Sequence, residues 1–263
     1  MKKQFLLTLA VVTLTSMGYS QTVTIGTQVW MTKNLDVATF RNGDIIPEAK
    51  TAEEWKLKND AGEPAWCYYL YRPVHRTTFG KLYNWHAVND PRGLAPTGYH
   101  VPSDAEWKKL TDYLGGAEKA GKKMKNASGW SDYRQGFWSS TKTCPNCASW
   151  NAEYRRKVAC HTCQDTRVVT VPEVTISGNG TNSCGFSGLP GGRAGSGPGN
   201  SYTAIYGYYD GTFIGIREYG NWWSSSESTI STAIYHSLNY DDDSVDRGHA
   251  VKGTGFSVRC LRN

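Results

Sequence analysis

Gly98-Tyr-His-Val-Pro-Ser-Asp-Ala-Glu-Trp107 decides how this chain folds, because it fixes one helix together with its start. Ser103-Asp-Ala-Glu106 is a capping box: the serine hydroxyl can accept from the third helical N–H while the glutamate reaches back to the serine N–H. Trp107, Leu110 and Leu114 then recur on one face, and Gly115-Gly116 stops the run, so a helix is predicted over about residues 104 to 114. Outward from it, Thr22-Val-Thr-Ile25 and Gln28-Val-Trp-Met31 alternate as strands around Gly26-Thr27, a Gly-first dipeptide suited to a type II′ hairpin. Thr51-Ala-Glu-Glu54 is a second capping box, leading into Trp55 and Leu57 and ended by Gly62 and Pro64. Ala117 to Lys125 adds one or two basic helical turns before Ser128-Gly-Trp130, and everything beyond the cysteine-rich segment that follows, to about residue 182, reads as strands and Gly-rich loops. At the far end Phe256, Val258 and Cys260 alternate as a terminal strand with one buried face.

Composition describes what surrounds these elements. Ten Trp, sixteen Tyr and twenty-eight Gly, without long aliphatic runs, point to short strands and ordered loops around an aromatic core, not to a helical bundle or parallel sheet. The first twenty-one residues read as a cleavable signal peptide: Lys2 and Lys3, an apolar run from Phe5 to Leu14, then small residues before Gln21. That run is too short to span a bilayer, and no later segment approaches a transmembrane length, so the expected product is secreted, periplasmic or at the cell surface, and not an integral membrane protein. Losing Lys2 and Lys3 lowers the formal charge from +6 to +4, too mild for nucleic acid. Residues 22 to 263 are long enough for one large domain.

Two thiol knuckles, Cys144-Pro-Asn-Cys147 and Cys160-His-Thr-Cys163, interrupt this cysteine-poor chain. Two Cys-x-x-Cys turns can bring four sulfurs to one tetrahedral point, so the segment reads as a small structural zinc ribbon, with disulfides as the alternative in an oxidising compartment. Either way the cluster staples an insert too small to fold on a core of its own. The pairing of Cys67, Cys184 and Cys260 stays open.

Several motifs, in order, resemble the Fibrobacter succinogenes major paralogous domain family: Thr24-Ile-Gly-Thr-Gln-Val-Trp-Met31 with Asn34-Leu35, Tyr83-Asn-Trp85, the stretch 98–107, Gly185-Phe-Ser-Gly-Leu-Pro-Gly-Gly-Arg193, Trp222-Trp-Ser-Ser-Ser-Glu227, and Gly255-Phe-Ser-Val-Arg-Cys-Leu261. The resemblance runs from about Thr22 to Asn263 and is interrupted at residues 135–182, the cysteine-rich insert. It implies a secreted or cell-surface domain, with no activity attached. Val101-Pro-Ser-Asp-Ala-Glu-Trp107 and Gly255-Phe-Ser-Val-Arg259 are also similar, more distantly, to signatures of the formylglycine-generating enzyme group. That similarity implies an α+β, C-type-lectin-like fold: a loop-rich, twisted antiparallel sheet with two flanking helices, first and last strands side by side, here with a small zinc-ribbon-like insert.

Chemistry is sparsely signposted. The serine at Phe186-Ser-Gly188 lacks the spacing of a nucleophile elbow, and the six histidines show no His-Glu-x-x-His pattern. The enzyme group works through paired cysteines late in the domain, whereas this chain offers Cys260 alone there, so that activity is not carried over. His100 reads as a cap or strand-end contact. Glu227 and the run Asp241-Asp242-Asp243, with Asp246, are the acids that would serve as acid and base or as oxygen ligands for calcium. Asn239-Tyr-Asp-Asp-Asp-Ser244 equally reads as a turn, where Asp and Asn are expected for backbone reasons, and it lacks the spacing of an EF-hand. Trp222, Trp223, Tyr206, Tyr208 and Tyr209 are candidates to stack on sugar rings, although adjacent tryptophans on a strand face opposite ways, so that at least one belongs to the core.

The leading expectation is a non-catalytic binding or adhesion module for an extracellular glycan or a cell-surface protein. The alternative is a carbohydrate-active or modifying enzyme using Glu227 or the acids from Asp241 to Asp246. Arg155-Arg156-Lys157 between the knuckles would suit nucleic acid, but export argues against it.

Overall fold

A computed structural model describes residues 21–135, 141–143, 168–170, 174–195 and 213–263. The chain enters as the expected hairpin, β1 (Thr22–Ile25) and β2 (Gln28–Met31), with Ile25 opposite Gln28 across the Gly26-Thr27 turn. α1 (Ala52–Asp60) starts where Thr51 accepts from the Glu54 N–H; Trp55 is buried, but Leu57 lies on the solvent side. β3 (Trp66–Cys67), two single 3-10 turns, α2 (Arg76–Phe79), β4 (Leu82–Tyr83), α3 (Trp85–Val88) and β5 (Tyr99–His100) follow. Both bonds of the Ser103–Glu106 capping box form at the head of α4 (Asp104–Tyr113), and α5 (Ala117–Met124) comes next. Among the described residues there are five α-helices: α1, α4 and α5 fall where the sequence places helical turns, and α2 and α3 are additional single turns. Four-residue helices are too short for a periodicity search, and α3 starts on a local cap in which the Asn84 side chain accepts from the Ala87 N–H.

From there the described chain is all strand and loop: β6 (Tyr133–Gln135), β7 (Thr141–Thr143), β8 (Val168–Thr170), β9 (Val174–Ile176), β10 (Gly191–Ala194), β11 (Phe213–Ile216), β12 (Tyr219–Glu227), β13 (Thr232–Asn239), β14 (Asp246–Val251) and β15 (Leu261–Arg262). One sheet has the order β1-β2-β15-β5, so the last strand lies between the opening hairpin and the strand before α4, with Leu261 opposite both Trp30 and His100. The other runs β11-β10-β12-β13-β14, antiparallel except where Gly192 meets Gly220. At and within the insert, β6 pairs with β9 and β7 with β8, two separate antiparallel pairs. The architecture is α+β. Among the described residues no helix is long and apolar enough to cross a membrane.

β12 explains how the core is divided. Its neighbours Trp222 and Trp223 point to opposite faces, as strand geometry requires, and each enters a different buried cluster. Trp223 packs with Tyr83, Trp85, Phe256, Val258 and Cys260, and Trp222 with Trp30, Trp107, Leu110, Phe186 and Leu238. The second cluster joins residues from before the insert to residues after it. The closing segment passes between the two clusters, which corrects the expectation of a single buried face. Phe256, Val258 and Cys260 do line one apolar side, but Ser257 and Arg259 on the other side are buried as well.

Candidate functional site

The signature residues meet inside the protein. Arg259 is fully buried; it donates from Nη2 and Nε to Asn34 Oδ1 at 2.7 and 3.2 Å, and from Nη1 to the carbonyls of Phe186 and Met31 at 2.5 and 3.2 Å. Trp222 Nε1 donates to the same Asn34 oxygen at 2.8 Å, while Asn34 Nδ2 donates to the Phe79 carbonyl and to Ser257 Oγ. The rings of Phe186 and Trp222 lie 4.6 and 5.9 Å from the guanidinium carbon. Burial pulls the Arg259 pKa down to about 9, so the group is still a cation at neutral pH. Among the described residues no carboxylate pairs with it. Carbonyl dipoles and ring faces hold the charge instead, and they tie together the Asn34 loop, the Phe186 loop, β12 and the chain end. Asn34 is only half-buried, but its side-chain groups are engaged within the protein, and the node is architectural.

Trp222 and Trp223, considered above as a sugar platform, are corrected by the same observation. Both are buried, and both indole N–H groups are engaged, Trp223 with the Tyr83 carbonyl at 2.9 Å. Neither ring can stack on a ligand.

The acids are engaged too. Glu227 ends β12 with its carboxylate on Lys252, whose ammonium also donates to the Ile230 carbonyl at 2.8 Å and sits 4.8 Å from the Trp85 ring centre. Asp241, Asp242 and Asp243 occupy the turn between β13 and β14, as turn chemistry predicts. Beneath that turn lies Lys125, only 2% exposed, donating to the carbonyls of Asn239 and Asp242 at 3.0 and 2.7 Å. Asp243 approaches Lys125 at 3.8 Å and Lys122 at 3.5 Å. Burial lowers the Lys125 pKa, and the charges of Asp243, Asp242 and Asp241 oppose that shift. The acidic run is the counter-charge of a buried lysine. Asp246 accepts from Asn239 Nδ2 at 2.7 Å and Ser244 Oγ at 3.2 Å.

A polar seam along α4 holds His100 and His236. His100 makes the strand-end contacts expected of it, with Asn263 Oδ1 and Glu106 Oε1, both at 2.8 Å. His236 was missed from sequence. Its Nε2 lies 3.1 Å from Asp104 Oδ1, its ring stacks on Trp107 with centroids 4.9 Å apart, and Arg247 grips the same carboxylate at 2.8 and 3.0 Å. Burial drops the His236 pKa to about 4, leaving it neutral, while hydrogen bonding from Arg247 holds Asp104 below the usual carboxylate range. An Asp in a helix's first turn reads as a dipole partner, and nothing local in sequence points it at a strand more than a hundred residues on.

What remains open to solvent beside Glu227 is a cleft of about 300 Å³, lined by Asn59, Asp60, His86, Ile230, Val251 and Lys252 among others. Ile230 stands 93% exposed at the β12–β13 turn. Burial, followed by the charge of Lys252, lowers the His86 pKa, so its half-buried ring is neutral at neutral pH. An apolar rim over a polar floor suits contact with a ligand. Both nearby acids are paired with lysines, Asp60 in its lining with Lys56 and Glu227 beside it with Lys252.

Tyr206, Tyr208 and Tyr209, all four knuckle cysteines and the leader through residue 20 lie outside the described residues. Cys67, Cys184 and Cys260 are free thiols; Cys67 and Cys260 are buried in different clusters, and burial raises both pKa values, Cys260 to about 12. Compared with known proteins, the chain matches the model of the Fibrobacter succinogenes major domain over residues 23–262. No curated protein and no solved structure matches it.

Proposed function

We propose that this chain, which belongs to the Fibrobacter succinogenes major domain family, is an exported, non-catalytic binding or adhesion module for an extracellular glycan, built on a C-type-lectin-like scaffold. The observation that carries the reading is the engagement of the acids: Glu227 is held by Lys252, and the Asp241–Asp243 turn faces Lys125 and Lys122. General acid and base catalysis needs a carboxyl group free to exchange its proton with substrate, and a carboxylate fixed on an ammonium is a poor one. The leader-like first twenty-one residues support export. The pairing of the first hairpin with the last strand supports the lectin-like scaffold.

The cysteine insert is part of this proposal as a staple. Thr143 pairs with Val168, so Cys144 leaves the end of a ribbon to which the chain returns five residues after Cys163. Both knuckles therefore sit on chain anchored at one ladder end. Cys144, Cys147, Cys160 and Cys163 would complete a zinc tetrahedron and leave no open position, which makes the role structural.

The test is a glycan array probed with residues 22–263, run beside a reducing-sugar release assay on the polysaccharides that score. Binding without release is expected. Release that disappears in Glu227→Gln would replace this reading with a carbohydrate-active enzyme.

A further inference from the structure

Tyr113 is the last residue of α4, and it points away from the face that carries Trp107 and Leu110 into the core. Tyr113 is 66% exposed, and one side of its ring is covered. The Gly26-Thr27 hairpin turn lies against it: a Cβ built at Gly26 would come within 3.0 Å of Cδ2 and 3.1 Å of Cγ of that ring. Glycine is favoured there by its φ of +62°, and its missing side chain lets the turn approach the ring closely. The hairpin backbone thus braces one side of an aromatic plate whose remainder is in water. A cleft of about 370 Å³ opens beside it, lined by Ile25, Gly26, Thr27, Gln28, Lys109 and Tyr113.

Each part of this cleft has a use in holding a sugar. A braced tyrosine offers an apolar face at little cost in side-chain entropy, which is what the axial C–H groups of a pyranose pack against. Thr27 brings a hydroxyl to the rim. Of the six lining residues one is charged, Lys109, and among the described residues it has no ion-pair partner, whereas its neighbour Lys108 is held by Asp112. A lone cation beside an aromatic plate selects for an anionic ring.

We infer that Tyr113, Lys109 and the Gly26-Thr27 turn form a binding subsite for an acidic pyranose, a uronate or a sulfated sugar, within an extracellular polysaccharide. The inference rests on the binding-module reading and gives it a place and a ligand class. It needs neither Glu227 nor the tyrosines near residue 206.

Affinity electrophoresis of residues 22–263 through gels containing polygalacturonate, with hydroxyethylcellulose as the neutral control, tests it. Polygalacturonate should retard the wild type, and Tyr113→Ala should weaken that retardation by about tenfold, the effect of removing an aromatic anchor. Tyr113→Phe should keep it, because the ring face and not the hydroxyl does the packing. Lys109→Gln should lower affinity and flatten its salt dependence. Matching thermal melts establish that the variants are folded, as expected for residues at the surface. Retardation equal in wild type and Tyr113→Ala overturns the subsite and leaves the binding-module reading intact. A wild type that ignores polygalacturonate and scores on the glycan array with neutral glycans alone overturns the acidic-sugar assignment, and one that binds no glycan on either overturns both.

Discussion

The guanidinium of Arg259 rests on the side-chain oxygen of Asn34, 2.7 Å from Nη2 and 3.2 Å from Nε, and that oxygen also takes the indole N–H of Trp222. One amide therefore satisfies three buried donor groups, one side of a fully buried cation among them. Deleting it leaves all three without that acceptor, and Asn34→Ala should cost about 3 to 5 kcal/mol. Asn34→Asp keeps the acceptor and adds a counter-charge, so its loss should be smaller, set by the Phe79 and Ser257 bonds it forfeits. Urea unfolding of both variants is the check. A loss under about 1 kcal/mol in Asn34→Ala would show that the node is dispensable.

A glycine inside a helix is ordinarily improved by alanine, by about 1 kcal/mol. Gly121 in α5 should behave the other way. A Cβ there would stand 2.2 Å from the Ser244 carbonyl oxygen and 2.6 Å from that of Asp243, both backbone atoms of the turn that covers Lys125. Gly121→Ala must push α5 and that turn apart and loosen the contacts on a buried lysine, so a loss of about 2 kcal/mol or more is expected. Equal or higher thermal stability in the variant would contradict the packing of α5 on this turn.

How much of this was legible in sequence depended on distance along the chain. The Ser103 box and the Gly26-Thr27 hairpin are local devices whose partners lie within a few residues, and both form. The turn character of Asp241–Asp243 and the strand-end contacts of His100 were local too. Arg259 was harder. The pattern Phe256-Ser-Val-Arg-Cys260 alternates correctly, but its polar side meets Asn34 across more than two hundred residues instead of meeting water. Patterning assigns a polar face to solvent by default, and a buried hydrogen-bonded cation defeats that default. Trp222 and Trp223 misled as binding candidates for a related reason: residue type says what a ring can stack on, while the strand's two faces decide that both rings are enclosed.

His236 gives stability a pH dependence with a definite sign. Its pKa is about 4 in the folded protein against an ordinary 6.5, because burial against Trp107 opposes the imidazolium more than Asp104 favours it and Arg247 adds repulsion. Between those values the unfolded chain binds the proton and the folded one does not. Stability contributed by neutral burial is therefore full above pH 6.5 and is lost as pH falls toward 4, by about 3 kcal/mol over the whole window. His236→Gln, which cannot titrate, should lose less stability between pH 6.5 and 4.5 when both proteins are unfolded with urea. Parallel curves would place the histidine's proton uptake elsewhere.

The insert should fail alone. Its strand pairs are β6 with β9 and β7 with β8, and it joins the body next to Trp130, whose N–H donates to Asn179 and whose indole N–H donates to the Gly188 carbonyl. Among the described residues, the cluster that contains Trp107, Phe186 and Trp222 takes its members from before Tyr133 and after Asn182. If Cys144, Cys147, Cys160 and Cys163 hold one zinc, Cys147→Ser removes a ligand of a site whose binding energy is the folding energy of the segment around it. Trypsin should then cut at Arg155, Arg156 and Lys157 in the variant and spare them in the wild type, while amide exchange in α4 and β15 stays slow in both. Metal analysis should give one zinc per wild-type chain. Two disulfides without metal would keep the staple and remove the zinc, whereas unchanged resistance to trypsin in Cys147→Ser would mean that the two knuckles do not hold the segment together.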